Sequence, residues 1–258
     1  MSFLPVDGRR VGMLTPSSNT VLEPYTSAMF APVGQQASAH FGRFRVVEIS
    51  MSDASQSQFT LEPILDAAER LAEANPQLIA WNGTSASWLG LDKDRALCAA
   101  ITERTGIPAT STILAYEALF RGMNVKRLGL VTPYIEDIER RMIANYAAQG
   151  ISVVSTARLD DKGNYSFATY PPEQVGAMIE QVAEAKPDAI AIVCTNFRGA
   201  PVAERIEQAT GIPVIDSVAV TAAHCLKVVG LDPVRVTGWG SVFSRVSGLD
   251  LTSPPERL

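Results

Sequence analysis

Residues 187–196 read PDAIAIVCTN, and residues 76–85 read PQLIAWNGTS, 111 positions earlier. Two further pairs stand in the same order: RVGMLTP at 10–16 matches RLGLVTP at 127–133, and TGIP at 105–108 recurs at 210–213. Chance can produce one short match, but three matches in one order indicate an internal duplication. We therefore expect two similar halves, 8–124 and 125–240, followed by a tail at 241–258.

The repeated segments are short apolar runs bounded by turn residues, a pattern typical of strands buried on both faces. Between them, apolar residues recur three and four positions apart, as in helices. The predicted helices cover 61–74, 93–104, 113–121, 135–149, 172–185, 202–209 and 218–229. Strands that alternate with helices predict two doubly wound α/β halves with parallel sheets, related by a pseudo-twofold axis. From residue 244 the tail has turn residues and no period, and we expect it to wrap the surface.

The composition excludes several classes of function. The 258 residues include 22 Lys and Arg against 27 Asp and Glu, a formal net charge of −5. An acidic chain without basic clusters lacks the electrostatic attraction behind nucleic-acid binding. There is no apolar run near the roughly 18 residues of a membrane span, and residues 1–10 do not resemble a signal peptide. We expect a soluble cytoplasmic protein with neither a nucleic-acid nor a membrane partner, while a homo-oligomer stays open.

The three cysteines, Cys98, Cys194 and Cys225, are too few and too unevenly spaced for a disulfide framework or a zinc cage. Cys98 and Cys225 fall in the middle of predicted helices, on apolar faces, and are expected in the core. Cys194 ends a predicted strand, where backbone amides and a helix start lower a thiol pKa. Such a thiol suits nucleophilic or acid–base chemistry, and a buried core cysteine is the alternative. His40 and His224 do not complete a metal site, and we expect no metal and no cofactor.

Polar motifs follow four of the predicted strands: TPSSNT at 15–20, NGTSAS at 82–87, TPYIED at 132–137 and CTNFRG at 194–199. Ligands of open α/β sheets bind beyond the carboxyl ends of strands, so we expect these motifs to line one cleft between the halves. Their hydroxyls and amides can hold a carboxylate or an enolate, and the same residue types also cap helices. The candidate binding residues are Asn19, Gly83, Thr84, Ser85, Tyr134, Thr195 and Asn196. The pocket is expected to include Ser17, Ala86, Trp88, Val193 and Phe197, of which the apolar ones could equally be core.

In this order, the TPSSNT, NGTSAS, TPY and CTN motifs resemble the maleate cis-trans isomerase and arylmalonate decarboxylase branch of the aspartate/glutamate racemase superfamily. The resemblance covers nearly the whole chain, to about residue 240. It implies two pseudosymmetric α/β halves with a cofactor-free site in the cleft between them. The racemases and maleate isomerases have a cysteine in each half, whereas this chain has Cys194 in the second half and Gly83 at the place of the first.

Within this branch the motifs point in two directions. Arylmalonate decarboxylases have a glycine followed by Thr-Ser, similar to Gly83 and its neighbours, a tyrosine that matches Tyr134 and a single cysteine that matches Cys194. The PSSNT motif with Asn19, and CTN in place of the CGG of decarboxylases, resemble maleate isomerases. Asn164 in KGNYSF is a looser match to a further isomerase asparagine.

The absence of a cysteine at position 83 helps to distinguish between the candidate reactions. Isomerisation of a cis diacid needs a nucleophile on one side of the double bond and a proton-managing group on the other, and racemisation needs a base on each face. Decarboxylation of a substituted malonate needs neutral donors for the enediolate, an apolar pocket and one acid on one face. One thiol opposite Gly83 fits this reaction best, with Cys194 as the proton donor.

We therefore expect a cofactor-independent decarboxylase of a malonate-type dicarboxylate with an aryl or alkyl substituent. Thr84, Ser85, Tyr134 and Asn19 are expected to stabilise the enediolate. The alternative is a maleate isomerase-like isomerase or a racemase of a small carboxylic acid, and the third hypothesis is an inactive dicarboxylate-binding protein. The same argument predicts racemase activity for Gly83→Cys.

Overall fold

The computed structural model describes residues 7–45 and 61–250. These residues form two four-stranded parallel sheets with the same strand order, β2-β1-β3-β4 and β6-β5-β7-β8. The first contains β1 (Arg9–Pro16), β2 (Ala37–Phe44), β3 (Leu78–Trp81) and β4 (Ala109–Ser111). The second contains β5 (Arg127–Thr132), β6 (Ser152–Arg158), β7 (Ala189–Ile192) and β8 (Val214–Asp216). The matching strand orders confirm the predicted pair of doubly wound halves, while the boundaries at 124 and 240 stay predictions.

Helices flank both sheets, and each of the predicted helices is confirmed with its ends within two residues. In chain order the helices are α1 (Leu22–Phe30), α2 (Leu61–Ala72), α3 (Ala86–Leu89), α4 (Leu91–Thr105), α5 (Thr112–Gly122), α6 (Glu136–Ala148), α7 (Pro172–Ala183), α8 (Ala200–Thr210), α9 (Ser217–Val228) and α10 (Val242–Ser247). The central strands β3 and β7 are buried along their whole length, as their unbroken apolar runs predict. In the described part of the chain, no helix is both long enough and apolar enough to cross a membrane.

The two TGIP repeats are turns, and their assignment to strands was wrong. Thr105 and Thr210 end α4 and α8, and the glycines that follow, Gly106 and Gly211, both have a φ of 71°. Glycine adopts this left-handed conformation without a Cβ penalty and commonly ends a helix. Strands β4 and β8 begin directly after the proline of each repeat.

The tail also differs from its prediction. Residues 242–247 form α10, which packs against α9 through the buried side chains of Val242, Phe243 and Val246. The helix is too short to show a clear period in the sequence, so its apolar residues were not recognised as one face. The part of the tail at 251–258 lies outside the described residues.

The two halves meet along α5 and α9, the helices that follow β4 and β8. Tyr116 of α5 directs its hydroxyl at the carbonyl oxygens of Ile192 and Ile215 in the second sheet, each 2.9 Å away. Thr221 of α9 donates to the hydroxyl of Thr112 in α5 at 2.9 Å. Equivalent helices therefore face each other, and the loops that leave β3 and β7 come together.

Candidate active site

Cys194 lies two residues beyond the end of β7, in the loop that leads to α8. Its side chain is 2% exposed. The backbone N–H of Cys194 donates to Ser217 Oγ at 3.1 Å, and Ser217 donates to the carbonyl of Ile192 at 2.8 Å. The N–H of Asn196 donates to the sulfur at 3.4 Å. These bonds fix the loop and place the thiol at the carboxyl end of the second sheet.

The thiol of Cys194 is held in its neutral form. Burial raises its pKa to about 12, and the hydroxyl of Tyr134 and the amide of Asn196 lower it by less. The nearby carboxyls of Asp216 and Asp161 raise the pKa further. The expectation of a lowered pKa is therefore wrong: helix α8 begins only at Ala200, so a single amide, rather than a helix N-terminus, faces the sulfur.

Two hydroxyls lie beside this thiol. Tyr134 follows β5 and Thr84 follows β3, and their side-chain oxygens are 2.7 Å apart. The Tyr134 hydroxyl also lies close enough to the Cys194 thiol to lower the pKa of that thiol. Burial raises the pKa of Tyr134 well above its ordinary value, so this hydroxyl stays protonated. Neutral donors from both halves thus converge on one point.

Asn19 connects the first half to the second. Its Nδ2 donates to Thr195 Oγ1 at 3.1 Å, and Thr195 Oγ1 donates to the carbonyl of Asn82 at 3.1 Å. Asn19 Oδ1 accepts from the N–H groups of Val21 and Leu22, both at 2.9 Å, at the start of α1. Asn19 therefore caps a helix and also lies in the cleft, so both interpretations of this residue type apply.

Asn196 and Asn164 form a second connection. Asn196 Oδ1 accepts from the N–H of Thr20 at 2.9 Å, and its Nδ2 donates to the carbonyl of Asn164 at 2.6 Å. Asn164 Nδ2 donates to Ser18 Oγ at 2.8 Å. Residues 161–170 of the second half are thereby held against the TPSSNT loop of the first. Both asparagine side chains are buried in these contacts.

The position opposite Cys194 in the repeat is Gly83, and there is no free space for a side chain there. A Cβ atom on Gly83 would lie 2.3 Å from Cε2 and from Cζ2 of Trp81, far inside van der Waals contact. Trp81 is 1% exposed and packs on Phe44 with ring centroids 4.7 Å apart. The expectation that Gly83→Cys alone yields a racemase therefore needs correction, because Trp81 would have to move first.

Two aromatic rings pack against the ring of Tyr134. The ring of Trp88 meets that of Tyr134 edge-on at a centroid distance of 5.2 Å, and Phe167 does so from another side at 5.5 Å. Phe197 is buried, and its ring centroid is 6.3 Å from that of Tyr170. These rings supply apolar walls that exclude water from the donors.

The remaining predicted residues contribute through their backbones or through packing. Val193 is fully buried and donates its N–H to Val131 in the sheet, and Ala86 is buried in the first turn of α3. Ser85 is buried and precedes α3, where its carbonyl accepts from the N–H of Leu89 at 2.9 Å. Ser17 is half-buried and donates its N–H to the carbonyl of Phe44 at 2.7 Å.

The other cysteines and both histidines lie away from these donors. Cys98 in α4 and Cys225 in α9 are buried, which confirms their prediction as core residues. His40 lies in β2, and half-buried His224 in α9 contacts Thr110 across the two halves at 3.2 Å. Among the described residues, no three His, Cys, Asp or Glu side chains form a cluster that could hold a metal ion.

Sequence reasoning missed several contributors to the site. Ser217 and the carbonyl of Asn82 hold the loops at 194–196, and Phe167 packs on the catalytic candidates. Ser217 was detectable, because it directly follows the strand after the second TGIP turn, just as Thr112 follows the strand after the first. Phe167 had no such signal, since it lies in a short 3₁₀ helix (Ser166–Thr169) without a counterpart in the repeat.

Comparison with known proteins places these features in a family. The sequence profile of the arylmalonate decarboxylase family matches residues 11–243. The chain belongs to the arylmalonate decarboxylase family. This membership confirms the superfamily branch that the four motifs indicated.

Named relatives of this family member carry two activities. The maleate isomerase of Nocardia farcinica is 25% identical over 254 residues, which cover 93% of this chain and 98% of that protein. The arylmalonate decarboxylase of Bordetella bronchiseptica is 26% identical over 186 residues, covering 71% of this chain and 78% of that protein. Most of the matching relatives are named maleate isomerase.

A solved structure shares the fold of this arylmalonate decarboxylase family member. It is a cysteine-to-serine variant of the Nocardia farcinica maleate cis-trans isomerase with a covalently bound succinylcysteine intermediate. The TM-score is 0.83 at 24% identity, covering 91% of this chain and 98% of that one.

Proposed function

We propose that the protein is a cofactor-independent decarboxylase of a malonate-type diacid that carries an aryl or alkyl substituent. The observation that carries the proposal is the single buried, protonated thiol of Cys194, opposite a glycine at position 83. A protonated thiol is the form that a proton donor needs. One such donor is sufficient for decarboxylation and insufficient for a reaction that needs a base on each face.

The first step breaks the bond between the α-carbon and one carboxylate. The departing group leaves as carbon dioxide, and the electron pair stays on the α-carbon as an enediolate of the retained carboxylate. The hydroxyls of Thr84 and Tyr134, 2.7 Å apart, are neutral donors for this developing charge. The apolar rings of Trp88 and Phe167 favour loss of charge from the departing carboxylate, because they replace its water.

The second step forms the new C–H bond. The Cys194 thiol transfers its proton to the α-carbon, and the thiolate that remains takes a proton from solvent before the next turnover. Burial keeps the thiol protonated before reaction, so its proton is available, and the transfer is driven by the α-carbon of the enediolate, which is a far stronger base than the thiolate. Because the donor lies on one side, the product is a single enantiomer.

A maleate isomerase is the second candidate, and the names of most relatives favour it. In that reaction Cys194 would act as a thiolate nucleophile, and burial raises the pKa of Cys194 and so disfavours the thiolate. The Nocardia farcinica variant forms a succinylcysteine although one cysteine is replaced by serine, so a different cysteine carries the adduct. In this chain the other cysteines, Cys98 and Cys225, are core residues.

The two activities are separated by a single substrate comparison. The purified protein is incubated with a 2-aryl-2-methylmalonate and, separately, with maleate, and NMR follows carbon dioxide, alkene geometry and the α-proton. We expect carbon dioxide and a 2-arylpropionate from the malonate, and no fumarate from maleate. Fumarate without carbon dioxide would establish the isomerase, and α-proton exchange without carbon dioxide the racemase. Thermal stabilisation by dicarboxylates without turnover would indicate a binding protein.

A further inference from the structure

The two halves distribute side-chain volume in opposite ways at the ends of their central strands. Strand β3 ends at Trp81 and is followed two residues later by Gly83. Strand β7 ends at Ile192 and is followed two residues later by Cys194. In the first half, the large side chain of Trp81 is therefore followed by a glycine that has no side chain. In the second half, the smaller side chain of Ile192 is followed by the thiol of Cys194.

The Trp81 ring occupies the space that a side chain at position 83 requires. A Cβ atom on Gly83 would lie 2.3 Å from two carbons of the indole and 2.6 Å from Nε1. The ring packs on Phe44 at a centroid distance of 4.7 Å, and its buried Nε1 lies near the carboxyl of Asp94 without a hydrogen bond of good geometry. Because Trp81 is only 1% exposed in a close-packed interior, it has no adjacent space into which it can turn.

We propose that Trp81 restricts position 83 to glycine and thereby keeps the site to a single proton donor, on which its facial selectivity depends. The proposal rests on the proposed function, since facial selectivity has meaning only for a reaction at a prochiral carbon. Position 83 adjoins Thr84, whose hydroxyl is 2.7 Å from that of Tyr134, and the Tyr134 hydroxyl lies beside the Cys194 thiol and lowers its pKa. A thiol at 83 would therefore enter the same group of donors, and Trp81 prevents it.

A stability comparison tests the steric part of the proposal. Gly83→Ala adds only a Cβ atom, and it is introduced into the wild-type chain and into Trp81→Ile, which copies the second half. We expect the substitution to lower the melting temperature by about 5 °C in the wild type and by less than about 1 °C in the Trp81→Ile background. Trp81→Leu replaces Trp81→Ile if the latter does not fold. Equal losses in both backgrounds would overturn the proposal.

An exchange assay tests the selectivity part. The double variant Trp81→Ile/Gly83→Cys, Trp81→Ile alone and the wild type are each incubated with an enantiopure 2-arylpropionate in deuterium oxide. We expect the double variant to exchange the α-proton and racemise the acid, one thiolate removing the proton and the opposite thiol supplying a deuteron. Trp81→Ile alone and the wild type are expected to leave the acid optically pure.

Failure of this proposal is distinct from failure of the proposed function. A folded double variant with one additional titratable thiol that leaves the acid optically pure overturns the role of Trp81. A wild-type protein that releases no carbon dioxide from any malonate overturns the proposed function, and the melting-temperature comparison still decides whether Trp81 excludes a side chain at 83.

Discussion

At the scale of single residues, the chemistry of Cys194 depends on burial more than on any one partner. The hydroxyl of Tyr134 and one amide lower its pKa, and burial outweighs both and raises it to about 12. A thiol with a raised pKa is a weak nucleophile before reaction, and its proton is available for transfer. This balance favours proton donation over addition to an alkene.

Removal of this thiol is the first prediction. We expect Cys194→Ala to lower kcat for carbon dioxide release by a factor of about 10³, because the positioned acid is lost. The matched control is Cys98→Ala, another buried cysteine, which is expected to retain activity because it lies in α4 within the core. Circular dichroism of both variants checks the fold. Comparable activity in Cys194→Ala and Cys98→Ala would contradict the assignment.

The hydroxyl of Tyr134 gives the second prediction. Tyr134→Phe removes the donor that contacts both Thr84 and Cys194, and we expect kcat to fall by about 10²-fold with a smaller change in KM. Tyr146→Phe is the control, since Tyr146 is a buried tyrosine of α6 whose ring packs on Phe120. Equal effects of the two substitutions on kcat would show that the loss reflects packing alone.

At the scale of elements, Asn19 supports the start of α1 and the contact between the halves, and the third prediction separates these roles. Asn19→Ala loses the cap and the bond to Thr195, and we expect a loss of about 1–2 kcal/mol in the free energy of unfolding. Asn19→Asp keeps the cap oxygen at a helix N-terminus and loses only the donor, so it should cost less. Urea unfolding measures both, and a larger loss in Asn19→Asp would contradict the capping role.

The elements that sequence reasoning found are those with apolar periodicity, and the ones it missed have a physical reason. Strands β2 and β6 lie at the edges of their sheets and are mostly half-buried, so they have no continuous apolar run. Helix α3 has four residues, too few for a helical period. The TGIP segments were recognised as repeats but assigned to strands. In each of them, a helix ends at a glycine in the left-handed conformation, and a strand begins directly after the proline.

At the scale of the whole molecule, two buried carboxyls make stability depend on pH. Burial raises the pKa of Asp94 and of Asp216 to about 7. The folded state thus favours the neutral forms, so the stabilisation is complete below the unfolded pKa of about 4 and is lost as pH rises through 7. The fourth prediction is that the free energy of unfolding falls between pH 5 and pH 7, by on the order of 1 kcal/mol per pH unit for each group, and levels off by pH 8.

Urea unfolding at several pH values checks this dependence. Asp216→Asn keeps the side-chain oxygen that accepts from Val218 and Ala219 at the start of α9 and removes the titration. We expect a flatter pH dependence in this variant than in the wild type. Asp232→Asn is a control at an exposed carboxyl whose pKa is lowered, and it should leave the slope between pH 5 and pH 8 unchanged. A slope in Asp216→Asn as steep as that of the wild type would contradict the assignment.

The internal repeat predicts which residues of the two halves correspond in the site. It does not predict the pKa of Cys194. In the sequence alone, the alignment of the two repeats places Gly83 opposite Cys194. The raised pKa of Cys194 depends on how deeply the loop is buried, which a sequence does not encode locally. The direction of the Trp81 ring likewise follows from packing against Phe44, a residue from a different strand.

The central claim is that one protonated thiol delivers one proton to one face of an enediolate. It is tested by turnover of a prochiral 2-aryl-2-methylmalonate in deuterium oxide, with carbon dioxide measured and the product resolved by chiral chromatography and mass spectrometry. We expect one carbon dioxide per product molecule, one deuterium at the α-carbon and a single enantiomer. A racemic product, or fumarate formed from maleate with no carbon dioxide from the malonate, would contradict it.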